Sequence, residues 1–163
     1  GIVQKKGADN QINPSVLRHI EIEELRGLDK TRTLYQFAEK ILKMRETMSK
    51  LVEDWRSERA IVAGYGAARS GPTLISQLGI SGAIEYIFDD HPQKVNRYSS
   101  GDGIPIVPTN ELYKRMPNYV VILAWVHADK IIEKNQEYLK QNGCFVVVCP
   151  EMKLVERNRV TIL

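Results

Sequence analysis

The sequence lacks any apolar run near the roughly 18 to 20 residues that a bilayer-crossing helix needs, so no membrane partner is expected. It opens with no charged-then-apolar leader. Histidine and cysteine are scarce, three and two in 163 residues. No Cys/His spacing suits a metal ion, and no Ser/His/Asp or Cys/His set for nucleophilic attack is recognisable. General-base work needs a carboxylate near a histidine; no plausible catalytic partner is found for His91 or His127, and Asp129 next to His127 is too weak a basis. The two cysteines, Cys144 and Cys149, fall in one expected strand at an odd separation and so point to opposite faces. A disulfide between them is implausible, and a reducing, cytoplasmic setting fits. No block of like charge stands out and the net charge is only +3, so nucleic acid is not an expected partner. Internal repeats and low-complexity stretches are absent.

What is present is enough apolar content, 43% of the chain, to bury a core. The length suits one domain with an appendage. The opening Gly1-Ile2-Val3-Gln4-Lys5-Lys6-Gly7 reads like the end of a strand, as in a domain cut from a longer polypeptide or one carrying a tag remnant at Gly1.

The stretch Ile61–Gly71 organises the rest. An apolar run meets three glycines, Gly64, Gly66 and Gly71, and an apolar helical segment follows over 73–78. Strand, tight glycine turn and helix in that order form a phosphate-ready turn. Glycine reaches φ > 0 and lets a ligand approach the main chain, and a helix N-terminus offers unpaired N–H groups. The spacing departs from the strict dinucleotide pattern, which leaves open a turn that binds nothing. The candidate binding residues here are Gly64, Tyr65, Gly66, Ala67, Ala68, Arg69, Ser70 and Gly71.

Upstream, Asp9-Asn10-Gln11 reads as a linker. Asn13-Pro14 is a helix start, with Asn as N-cap and Pro in the first turn, and the helix is expected to run to Arg26, with Gly27 as its stop. Val16, Leu17, Ile20 and Leu25 form its apolar stripe. A second, longer helix is expected over 30–57. Leu34, Ile41, Met48 and Trp55 lie seven apart, with Phe37, Met44 and Leu51 as a second seam. Such a face makes a homodimer or braces another domain, or it packs on the first helix and the nearby sheet.

From Arg59 the pattern alternates strands and helices: strands over 60–63, 84–88, 104–107, 119–124 and 144–149, with helices over 73–78, 110–115 and 128–141. A last strand is possible over 159–163. The third strand, with Pro105, suits an edge. The expectation is an α/β fold, a Rossmann-like doubly wound and mostly parallel sheet, preceded by two helices of which the second is long. The domain division is 1–58, a linker strand and helical segment, and 59–163, the Rossmann-like part. Asp89 and Asp90 end the second strand, where an acid often holds a ribose diol. The polar loop over 93–103, with Lys94, Arg97, Tyr98 and Ser99-Ser100, is too long for a minimal connection and is a candidate binding loop, and the fourth strand delivers Trp125 and His127 to the carboxyl edge of the sheet, where ligands bind in such folds.

Gly64-Tyr65-Gly66-Ala67-Ala68-Arg69-Ser70-Gly71-Pro72-Thr73-Leu74 resembles the glycine loop in the C-terminal domain of sugar C-methyltransferases. The likeness continues through Asp89, Pro92-Gln93-Lys94, Arg97-Tyr98, Gly103-Ile104-Pro105-Ile106, Pro117-Asn118-Tyr119-Val120, Leu123-Ala124-Trp125 and Pro150-Glu151. The resemblance implies a three-part enzyme acting on a nucleotide-linked keto-deoxysugar: a zinc-binding segment, an S-adenosylmethionine-dependent domain and this Rossmann-like domain. S-adenosylmethionine and zinc then belong to the other domains, which become partners of this one, and no cofactor is expected here. The implied role is nucleotide-sugar binding and domain packing, with no catalytic residue. Three places depart from the family pattern. The family usually has a lysine near Arg69-Ser70 followed by Gly-Asn, whereas here Arg69 offers the charge one place earlier and Pro72 replaces the Asn; Asp90-His91 replaces Arg-Asn before Pro92, and Val126 replaces Asn after Trp125. The alternatives are a ligand-free structural or dimerisation module and, less favoured, an NAD-binding redox domain.

Overall fold

The computed structural model describes residues 5–7 and 11–163. The tail strand expected near Val3 and most of the expected linker lie outside the described residues. The chain divides into two compact units, Gly1–Lys40 and Ile41–Leu163.

In the first unit, α1 spans Pro14–Leu25. Asn13 caps it as expected, its Oδ1 accepting from the Ser15 N–H at 2.9 Å. The stripe of Val16, Leu17, Ile20 and Leu25 stays on the surface, and no residue of α1 is buried. The long helix α2, Thr31–Ser57, begins in this unit and ends in the second. Its heptad stripe has two fates. Leu34 and Phe37 are exposed, whereas Met48, Val52 and Trp55 are buried in the sheet-facing core of the second unit, with Met44 and Leu51 packed beside them. Trp55 stacks on Tyr119 with ring centroids 5.1 Å apart.

The second unit continues with β1 (Val62–Tyr65), α3 (Gly71–Leu78), β2 (Tyr86–Asp89), β3 (Ile106–Pro108), α4 (Leu112–Arg115), β4 (Tyr119–Ile122), α5 (Ala128–Lys134), α6 (Gln136–Lys140), β5 (Cys144–Val147), β6 (Lys153–Glu156) and β7 (Arg159–Ile162). The sheet order is β3-β2-β1-β4-β5-β6-β7. The first five strands are parallel, and β6 and β7 add an antiparallel hairpin. This is the mostly parallel, Rossmann-like α/β arrangement that the alternating pattern predicts, and β3 is the edge that Pro105 suggests. Strand residues alternate between two cores. Val62, Ile87, Val121 and Val146 pack toward α2 and α3. Ala63, Phe88, Val120 and Phe145 pack toward α4, α5 and α6.

Several boundaries differ from the sequence reading, each for a physical reason. The first strand lies two residues later, because pairing with both β2 and β4 holds the chain extended through Tyr65. Gly64 is thus a strand residue. The helix expected over 128–141 breaks at Asn135, whose side-chain amide donates to the Ile131 carbonyl at 2.8 Å and displaces its own N–H to Ile132. The helix expected over 110–115 starts with a 3₁₀ turn, Thr109–Glu111. The tail forms two strands instead of one, with Met152 just before them and Val155 within β6 buried in the two cores on opposite faces of the sheet.

Candidate functional site

The chain leaves β1 toward β2 and later crosses to β4 on its other side, so a crevice opens beyond the carboxyl ends of these strands. The glycines at this point have separate jobs. A Cβ on Gly64 would come within 2.8 Å of Leu123 Cδ1 and 3.1 Å of Ile87 Cγ1. Gly66 has φ +86, and an added Cβ would collide with that of Ala124. Both glycines are therefore required by packing, and Gly66 also by its backbone. Gly71, the first residue of α3, is different. Its Cβ position is open, with nothing nearer than Leu123 Cβ at 4.0 Å.

Between Gly66 and Gly71 the loop is held internally. The Gly66 N–H donates to the Phe88 carbonyl at 2.7 Å, the Ala68 N–H to the Gly66 carbonyl at 2.7 Å, and the Gly71 N–H to the Ala68 carbonyl at 2.9 Å. The N–H groups of Arg69 and Ser70 find no partner among the described residues. Asp89 anchors the loop from the end of β2. Its Oδ2 accepts from the Ala67 N–H at 2.7 Å, and its Oδ1 from the His91 N–H at 2.7 Å. Lys94 closes the arrangement. Its Nζ lies 2.9 Å from the Ala67 carbonyl and 3.3 Å from Asp89 Oδ2.

A recess of about 300 Å³ lies over this loop. Arg69 and Lys94 line it, with Ser99 and Ser100 from the polar loop, over an apolar floor that includes Ile87 and Leu123. No carboxylate, imidazole or thiol is among its lining residues. Arg69 has no ion-pair partner among the described residues. The recess can neutralise and hydrogen-bond an anion while covering an apolar surface.

The residues singled out from the sequence scatter around this recess. Ala67, Ala68, Arg69 and Gly71 line it. Tyr65 points into the opposite core, where Asn135 Nδ2 lies 3.5 Å from its hydroxyl and burial pushes its pKa up. Asp89 is buried behind the loop with both oxygens engaged. Asp90 is bonded by the Thr109 hydroxyl and by Lys134 at 3.0 Å, which hold its carboxyl below the usual carboxylate range. Arg97 is exposed and does not line the recess, although its carbonyl accepts from the Ile106 N–H and stitches the polar loop to β3. Trp125 lines a second hollow, of about 400 Å³, beyond β4 and β5, with Asp129, Glu151 and Lys153. His127 caps α5 without a side-chain hydrogen bond and lines neither hollow. The candidate binding loop over 93–103 supplies Lys94, Tyr98, Ser99 and Ser100 to the recess, whereas Arg97, the residue singled out from it, does not line it. The signal for this loop was its length, which exceeds what a minimal connection needs.

The family of C-methyltransferase C-terminal domains matches residues 1–150. This chain belongs to that family. Among curated relatives, the C-methyltransferase NovU of Streptomyces niveus is 30% identical over 149 residues, covering 91% of this chain and 36% of NovU. The chain thus spans about a third of that relative's length. In this C-methyltransferase C-terminal domain, both the glycine loop and the recess fall inside the matched residues, whereas the β6–β7 hairpin begins beyond them. Among the described residues no helix is long and apolar enough to cross a membrane.

Proposed function

We propose that this domain holds a nucleotide-linked deoxysugar for an S-adenosylmethionine-dependent C-methyltransferase, and that methyl transfer takes place in other domains of the longer protein. The observation that carries this reading is the lining of the recess: two cations, Arg69 and Lys94, no carboxylate, and an apolar floor. A guanidinium suits a diphosphate because its paired N–H groups match two phosphate oxygens. The free N–H groups of Arg69 and Ser70 at the start of α3 add to the attraction. The apolar floor accepts the flat face of a base or a deoxysugar. S-adenosylmethionine fits poorly, since its sulfonium is a cation and the lining is cationic. Zinc, like S-adenosylmethionine, is assigned to the other domains by the family resemblance.

Calorimetric titration with thymidine diphosphate tests the reading, with NAD and S-adenosylmethionine as controls. Heat with the thymidine nucleotide alone, weakened about tenfold or more by Arg69→Met, supports it. Silence with thymidine diphosphate counts against it, and heat with NAD would favour a redox domain.

A second reading, an assembly module, is favoured by the apolar side chains left uncovered on the first unit. Leu25, Leu34 and Phe37 are each more than half exposed, and such side chains often mark contact surfaces. That reading expects a concentration-dependent dimer in light scattering, lost on Phe37→Asp. A constant monomer mass removes the dimer version.

A further inference from the structure

We infer that Asp89 and Lys94 form a positioning clamp that presets the 66–70 loop for its anion, a role that rests on the ligand reading above. Four hydrogen bonds converge here. Two N–H donors from opposite sides, Ala67 and His91, reach the two oxygens of Asp89, and the Lys94 ammonium spans the Ala67 carbonyl and Asp89 Oδ2. Ala67 is thereby gripped at both its N–H and its carbonyl by side chains 22 and 27 residues away in the chain. Just beyond, Arg69 and Ser70 carry the loop's unpaired N–H groups.

The position of Asp89 at the end of β2 is where a dinucleotide-binding fold puts the acid that takes a ribose diol. Here that duty is foreclosed. The residue is 7% exposed, does not line the recess, and accepts three donors on its two oxygens. Lys94 is the opposite case. Its side chain is 41% exposed and lines the recess, and two of its three N–H bonds have partners within the protein. One ammonium thus touches the loop, its anchor and the space above them. Asp89 acts through Ala67 and makes no ligand contact, while Lys94 ties loop position to the charge of the ligand.

Losing a hydrogen bond to a charged group shifts a local opening equilibrium by about ten- to a hundredfold. Asp89→Asn and Lys94→Met are therefore expected to speed hydrogen exchange at the Ala67 amide by about tenfold or more and to weaken thymidine diphosphate by about tenfold. Lys94→Arg, which keeps the charge, restores part of both. Arg69→Met weakens binding but leaves Ala67 exchange unchanged. Lys94→Met carries the test if Asp89→Asn does not fold, because the lysine is half-exposed. Unchanged Ala67 exchange in the variants overturns the clamp. Faster exchange with unchanged affinity overturns it too, since the pair would then only brace the fold. If the parent does not bind thymidine diphosphate, the ligand reading fails. That outcome takes the anion-presetting role with it, whereas a binding parent whose variants show unchanged Ala67 exchange sinks the clamp alone.

Discussion

Gly143 lies against the ring of Tyr138 with no space for a Cβ between them. The Tyr138 hydroxyl donates to the Pro117 carbonyl at 2.9 Å and accepts from the Cys144 N–H at 3.2 Å, so the ring is pinned at its far end and cannot retreat. Gly143→Ala is expected to cost about 1–3 kcal/mol through overpacking, read as a lower urea midpoint with an unchanged slope. A midpoint equal to the parent's would mean that α6 shifts freely.

The glycines of the loop should separate by variant. Gly66→Val forces a β-branched residue into φ +86 and against Ala124, so it should unfold or destabilise the domain before it reports on any ligand. Gly71→Ala places a methyl into open space and removes backbone freedom from the unfolded chain, a gain of about 0.4–1 kcal/mol. A melting temperature equal to or above the parent's, with weaker thymidine diphosphate binding, is the expected result. A large fall in melting temperature would contradict the open position.

Because Asp89 is committed to the loop, no buried acid is left to choose between ribose and deoxyribose. Uridine diphosphate and its 2′-deoxy analogue should bind within about threefold of one another, or under about 0.7 kcal/mol. A preference of more than about tenfold for the ribonucleotide would show that a carboxylate does reach the sugar.

Cys144 is buried, and burial lifts its thiol from 9.0 to about 12. Below its ordinary value the thiol is neutral in both states and stability does not depend on it. Above that value the unfolded chain releases a proton that the folded chain keeps, so stability falls as pH rises toward about 12, by at most ~1.4 kcal/mol per unit. Urea midpoints taken at about pH 8 and about pH 10 should fall more steeply in the parent than in Cys144→Ala. Parallel slopes would show that another group controls the alkaline limb. Tyr138, also raised by burial, acts in the same direction.

Much of this domain was legible in one dimension. Short apolar runs, Pro105 and the Asn13-Pro14 pair are local signals, and they yielded the parallel strands, the edge position of β3 and the cap at Asn13. The break at Asn135 was not legible, because it depends on where an amide side chain finds its acceptor. The stripe on α2 showed an apolar face but not what covers it. Its second half is covered by the sheet through Trp55 and Tyr119, while Leu34 and Phe37 remain exposed.

The α/β class and the location of the glycine turn follow from residue types at short spacings, and the family from the resemblance of its motifs taken in order. Only the tertiary structure decided what each marked residue does. Gly64 and Gly66 face Leu123 and Ala124, which the chain reaches almost sixty residues later, and Asp89 turns inward because the Ala67 N–H lies within its reach. Trp125 and Lys94 exchanged places as neighbours of the loop for the same reason. The space around a side chain is filled by residues distant in the chain, and no local spacing records which ones arrive there.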